Sequence, residues 1–142
     1  MPKKIVLIIL FFVIVAVFYF SWLLDPTLET ETYIPKWILD WSNEYYNLRT
    51  AVPFVVLGFL LEAYSNRKKS YDPNPDKRLS FMKNMGISAF IAIIAEGGQF
   101  LIKSRSADIM DVYFAIAGSL FGGLGYNLLS VLMNFKRFKN EE

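Results

Sequence analysis

The chain has 142 residues, 54% of them hydrophobic and 17% aromatic, with a positive mean hydropathy and a net charge of +2. Apolar content this high, gathered in long blocks, excludes an ordinary soluble domain and fits one small multispan membrane domain over 1–142. With no Cys and no His, disulfide frameworks, Cys/His zinc sites, thiol nucleophiles and imidazole triads are excluded together, and a charge of +2 is too small to suggest a nucleic-acid partner.

Ile5 to Leu24 is 20 residues without a charge, preceded by Lys3 and Lys4. It is long enough to cross a hydrocarbon core of about 30 Å. Phe18-Tyr19-Phe20-Ser21-Trp22 offers no small-residue cleavage site, so the stretch reads as a retained first span, 5–24, rather than a signal peptide.

Asp25 to Thr50 forms a first loop with five carboxylates (Asp25, Glu29, Glu31, Asp40, Glu44) against Lys36 and Arg49. Within it Trp37, Ile38, Trp41, Tyr45 and Leu48 fall at helical spacing, which fits either a helix lying on the membrane surface or an aromatic belt at the mouth of a span. A second span is expected over 48–66, with Pro53 in its first turns and Glu62 at the far interface, snorkelling or pairing with Arg67.

The Ser65 to Lys83 stretch is polar, and its Asp72-Pro73-Asn74-Pro75 run cannot continue a helix, so it links spans. Third and fourth spans are expected over 81–102 and 109–135. The amino end, this linker and the carboxyl tail hold eleven of the fifteen Lys and Arg residues. By the positive-inside rule both termini and the linker are then cytoplasmic, while the acidic first loop and the 96–111 junction face outward.

That junction gathers the polar residues a bilayer should reject. On the third span Ala89, Ala92, Glu96, Gln99 and Lys103 recur at helical spacing; on the fourth, Asp108, Asp111, Ala115, Gly118 and Gly122 do so. If the two faces meet, Ala89, Ala92, Gly118 and Gly122 provide close packing, Gln99 lies level with Asp111, and Glu96 lies level with Ala115. The Gly-rich run from Gly118 to Gly125 lacks the Lys-Ser/Thr of a phosphate loop and reads as packing.

Glu96, about two turns inside a span, is the sharpest signal, because an ionisable group at that depth costs about 2.5 to 3.5 kcal/mol when it faces lipid at the bilayer centre. It either contacts a ligand or pairs with Arg105 or Arg49. Asp108 and Asp111 suit the cap and first turn of a helix. Grouped with Glu96, Gln99 and Arg105, they could instead bind a polar ligand, perform acid/base chemistry, or hold a divalent cation through oxygens, although no dedicated metal site or cofactor is predicted.

Glu96-Gly-Gly-Gln99, Arg105, Asp108, Asp111, Gly118 and Gly122 together resemble the VanZ-like family of small bacterial membrane proteins. Two features depart from that family: Ala115 stands where it often carries Asn, and a His common before the second span is absent. The resemblance implies a multi-pass protein of the bacterial cytoplasmic membrane with a cell-envelope role, the founding member being associated with low-level resistance to the glycopeptide teicoplanin.

Three functions follow as expectations. The first is a binder of an amphiphile, either a lipid-linked envelope intermediate or a lipoglycopeptide, in contact with membrane lipids. Its ligand-binding residues would be Glu96, Gln99, Arg105, Asp108 and Asp111, with Arg105 on anionic groups. The second is an intramembrane enzyme using Glu96 or Asp111 as base, and the third is a structural subunit with a protein partner in the envelope.

Overall fold

In the computed structural model the described residues are 3–23, 27–28, 31–69, 77–103 and 107–139, side chains of 67–69, 77 and 134–139 excepted. They form five helices: α1 (Lys3–Ser21), α2 (Lys36–Glu44), α3 (Tyr46–Lys69), α4 (Lys77–Gln99) and α5 (Ile109–Lys139). Four of these, all but α2, are long and apolar enough to cross a membrane, so the protein is an all-α, multi-pass membrane protein.

Most boundaries differ by a turn or less from those the hydropathy predicts. The first helix stops at Ser21, short of Trp22, while Leu24 lies outside the described residues. The aromatic stretch of the first loop does form a helix, α2, but it breaks at Tyr45, whose ψ of 56° leaves the helical region, so Leu48 belongs to α3. The side chains of Trp37 and Trp41 on α2 and of Tyr45 just past its end are exposed, and Ser42 is buried.

Because α3 begins at Tyr46, Pro53 falls inside the helix rather than in its first turn. Its ring removes the N–H that would otherwise meet the Arg49 carbonyl. The fourth helix starts before residue 81 and ends at Gln99, not 102; past Gly97 and Gly98 it tightens into i→i+3 bonds from Phe100 to Gly97 and from Leu101 to Gly98.

The bundle is organised around α3, which touches every other helix and packs most extensively on α5. The reason is steric. A methyl group at Gly118 would overlap the Ala51 carbonyl, and one at Gly122 the Val55 carbonyl, so α5 can approach the α3 backbone only where its side chains vanish. The small face of α5 is therefore taken up chiefly by α3, whereas the sequence placed it against the third span.

The core beside this seam joins Val17, Phe54, Leu57, Leu61, Ile91, Ala92, Ala95 and Ala115. In contrast, only 11% of the α1 span is buried against 39% of that of α3, which makes α1 a peripheral helix with most of its surface directed outward.

Glu62 corrects a sequence expectation. It does not snorkel: it is 2% exposed, and its Oε1 accepts a hydrogen bond from Asn84 Nδ2 at 2.8 Å, while Ser65 Oγ donates to Asn84 Oδ1 at 3.0 Å. The Arg67 side chain, its expected partner, lies outside the described residues. One turn along α4, Ser88 and Ser119, both fully buried, share a 2.7 Å bond between α4 and α5. The inward line of α4 thus runs Asn84, Ser88, Ala92, Ala95, Glu96 and Gln99, with Ala89 only half-buried beside it.

Candidate functional site

The opposite end of this line is built around Glu96. Glu96 and Gln99 sit one turn apart on α4, and Gln99 Nε2 donates to Glu96 Oε2 at 2.9 Å. Across the turn, the Asp108 backbone N–H donates to Glu96 Oε1. Glu96 is 8% exposed and Gln99 6%, so the carboxylate is drawn into the bundle and held by donors from the start of α5 and from its own helix.

Asp108 itself faces outward. Its Oδ1 accepts the Met110 N–H at 2.9 Å, capping α5, and its carbonyl accepts the Asp111 N–H at 3.0 Å. Its carboxylate is committed to the helix end and does not join Glu96. Asp111, one turn along, points the other way: it is half-buried, its Oδ1 accepts the Thr50 hydroxyl at 3.1 Å, and it interacts electrostatically with the half-buried Arg49.

Between these groups lies a cavity of about 30 Å³, room for about two waters. Its polar wall is Glu96 and Gln99 from α4, Asp111 from α5, Thr50 from α3 and Ser21 at the end of α1; Phe54, Ala92, Ala95 and Ala115 supply the apolar part. Four of the five helices contribute, and Ala115, 1% exposed, occupies the wall with a methyl group.

Trp22 anchors the α1 side. Its indole Nε1 donates to the Ala95 carbonyl at 3.0 Å, and its ring lies where a side chain on Gly98 would be. Glycine at 98 is what permits that approach. The ring also leans on Phe18, with centroids 5.1 Å apart. Farther along the same surface, the Tyr33 hydroxyl meets that of Tyr19 at 3.1 Å; this bond, with Glu31 close by, pushes the Tyr33 pKa up.

Of the residues singled out from sequence, the structure brings together Glu96, Gln99 and Asp111, sets Asp108 apart as a cap, and leaves Lys103 exposed. Arg105 lies outside the described residues. Ala92 lines the cavity, while Gly118 and Gly122 lie in the α3 seam. Thr50, Ser21 and Trp22 were missed. Thr50 had a signal, a hydroxyl beside Arg49 at the start of a span, whereas Trp22 had none, since its partner is 73 residues away. Among the described residues no three carboxylates gather where they could hold a metal ion.

The fold and site define a polytopic membrane protein whose helices close around a small polar cavity near one end of the bundle. The chain belongs to the VanZ/LLP1 family, whose model matches residues 4–130 and so takes in α1 to α4 and most of α5. No curated protein and no solved structure matches it.

Proposed function

We propose that this protein binds an amphiphile of the bacterial cell envelope, a lipid-linked intermediate or a lipoglycopeptide of the teicoplanin type, with its polar end at the Glu96 cavity. The reading places both termini in the cytoplasm, from the Lys and Arg asymmetry, and the cavity toward the outer leaflet of the cytoplasmic membrane. Membership in a family linked to glycopeptide resistance supports an envelope role.

The observation that carries it is Glu96: a carboxylate 8% exposed, inside a span, bordering a cavity. Such a group is costly in a bilayer and is retained where it works. Gln99, Asp111 and Thr50 complete the contact set; Arg105 would meet anionic groups of the ligand, and Asp108 would contribute through the cap.

A second reading, the structural clasp, draws on the bond from Asp108 N–H to Glu96, which ties α4 to α5. Native mass spectrometry of the protein released from its own membrane separates the two. An amphiphile retained by wild type and lost from folded Glu96→Gln supports binding. Loss of folded protein in Glu96→Gln supports the clasp. Equal retention by both proteins rejects the proposed site.

A further inference from the structure

Helix α2 is bonded directly into the start of a span. The Tyr45 N–H donates to the Trp41 carbonyl at 2.9 Å and the Arg49 N–H to the Tyr45 carbonyl at 3.0 Å, and α3 begins at Tyr46, so no loop separates α2 from a helix that crosses the membrane. The cavity marks the level of that joint. Thr50, about 8 Å along the helix from Tyr45, lines it together with Ser21 at the end of α1.

At about 100° per residue, the side chains of α2 fall into three sectors. Ile38, Leu39 and Ser42 are drawn out of solvent, the first two half-buried and Ser42 3% exposed, its hydroxyl donating to the Leu39 carbonyl at 3.2 Å. Lys36, Asp40, Asn43 and Glu44 are all exposed and form a polar sector with one positive charge and two negative. Trp37 and Trp41 fill the sector between, continued past the helix end by Tyr45, whose ring centroid is 6.4 Å from that of Trp41. Trp37 is 73% exposed.

Rings that carry a polar tip, flanked by charges on the next sector, suit a helix placed between hydrocarbon and water. The rings lie among the glycerol and carbonyl groups, their N–H and O–H groups reach the headgroups, and the charges face water. The surface of α1 changes in the same way at this level: Tyr19 and Trp22 are exposed at its end, and the exposed Tyr33 joins them through the Tyr19 hydroxyl. Were α2 to stand upright on α3, Trp37 would be lifted about 12 Å above Tyr45 and its ring left in water.

On these grounds we infer that α2 is an interfacial helix lying along the membrane at the cavity end of the bundle, with Trp37, Trp41 and Tyr45 in the headgroup layer and Asp40 and Glu44 toward water. Its partner is a lipid surface continuous with the lipid-facing sides of the spans. The contact is made by aromatic insertion, and because the polar sector is net acidic it needs no anionic lipid. This placement does not depend on what the Glu96 cavity binds. It sets the Thr50 side of the cavity within about 8 Å of the headgroup layer.

The chain has three Trp residues, so each can be read alone. The test uses full-length Trp22→Phe/Trp41→Phe, which leaves Trp37, and Trp22→Phe/Trp37→Phe, which leaves Trp41, in phosphatidylcholine vesicles brominated either near the glycerol or near the chain end. Shallow bromines should quench both Trp37 and Trp41 at least about twofold more than deep ones, aqueous iodide should quench neither strongly, and added phosphatidylglycerol should change nothing. If the Trp22→Phe background does not fold, the quenching lost from wild type in Trp37→Phe reads Trp37 by itself.

Quenching of Trp37 by iodide, with Trp41 quenched by lipid, overturns the inference in favour of an upright helix. Protection of both from iodide and from bromines assigns the aromatic sector to a protein partner or a second copy of the chain and overturns the lipid surface. Stronger quenching by deep bromines overturns the interfacial depth. Lipid quenching that arises only with phosphatidylglycerol overturns aromatic insertion as its cause.

Discussion

Two buried carboxylates, Glu62 and Glu96, sit toward opposite ends of the same α3–α4–α5 seam, and each is held by a side-chain amide. Their settings differ. Glu62 on α3 takes its bond from Asn84 on α4, and its methylenes lie against Gly123 of α5, so it joins three helices at a packed junction. Glu96 takes a side-chain bond from its own helix and a backbone N–H from the start of α5, and it borders a cavity. Both carboxylates bridge helices; what separates them is that Glu62 is enclosed by packing, whereas Glu96 has open space beside it that can receive something else. Burial and an amide partner alone do not distinguish the two.

Substitutions that separate these roles follow in order of effect. Gly122→Ile drives a side chain into the Val55 carbonyl and should break both ends at once, costing about 3 kcal/mol and removing lipid retention together with folded yield. Thermal unfolding in detergent measures it; an unchanged midpoint would mean that α3 and α5 are not as closely apposed as described.

Glu62→Ala strands the Asn84 amide in the core and should cost about 1–3 kcal/mol by the same measurement. Glu96→Gln should cost less, about 1 kcal/mol, because Gln keeps an acceptor for the Asp108 N–H and nearly the same shape, yet it should lose the bound amphiphile. The reverse order of stabilities would erase the contrast between the two carboxylates. The smallest effect expected is that of Trp22→Phe, which keeps the ring contact with Phe18 but drops the bond to Ala95, for about 1 kcal/mol or less; a midpoint shift larger than that of Glu62→Ala would show that α1 is clamped more firmly than its exposure suggests.

The four spans were legible because hydrocarbon thickness translates directly into a run of apolar residues, and Glu96 because a charge within such a run is conspicuous. Asp108 was legible as a cap for a local reason: its carboxylate bonds an amide two residues on. What sequence does not encode locally is azimuth, the direction in which each helix face points once packed. Gly118 and Gly122 were recognisable as a packing face, but not that α3 would occupy it. Glu62 was read against the nearby Arg67, while the partner it meets, Asn84, follows an intervening linker. Thr50 reaches Asp111 across 61 residues, a pairing that spacing on one helix cannot announce.

The contact between Gly122 and the Val55 backbone has a mechanical consequence. With carbonyl and glycine already touching, α3 and α5 form a fixed jaw that can neither close further nor yield without losing its packing. The cavity has one wall of a different kind, at the end of α1, a helix that packs on the bundle along one face and is fastened there by the bond from Trp22 to Ala95 and the fit of its ring at Gly98. The α1 wall is thus the one whose position depends on a side-chain fastening, that of Trp22, rather than on helix backbones in contact.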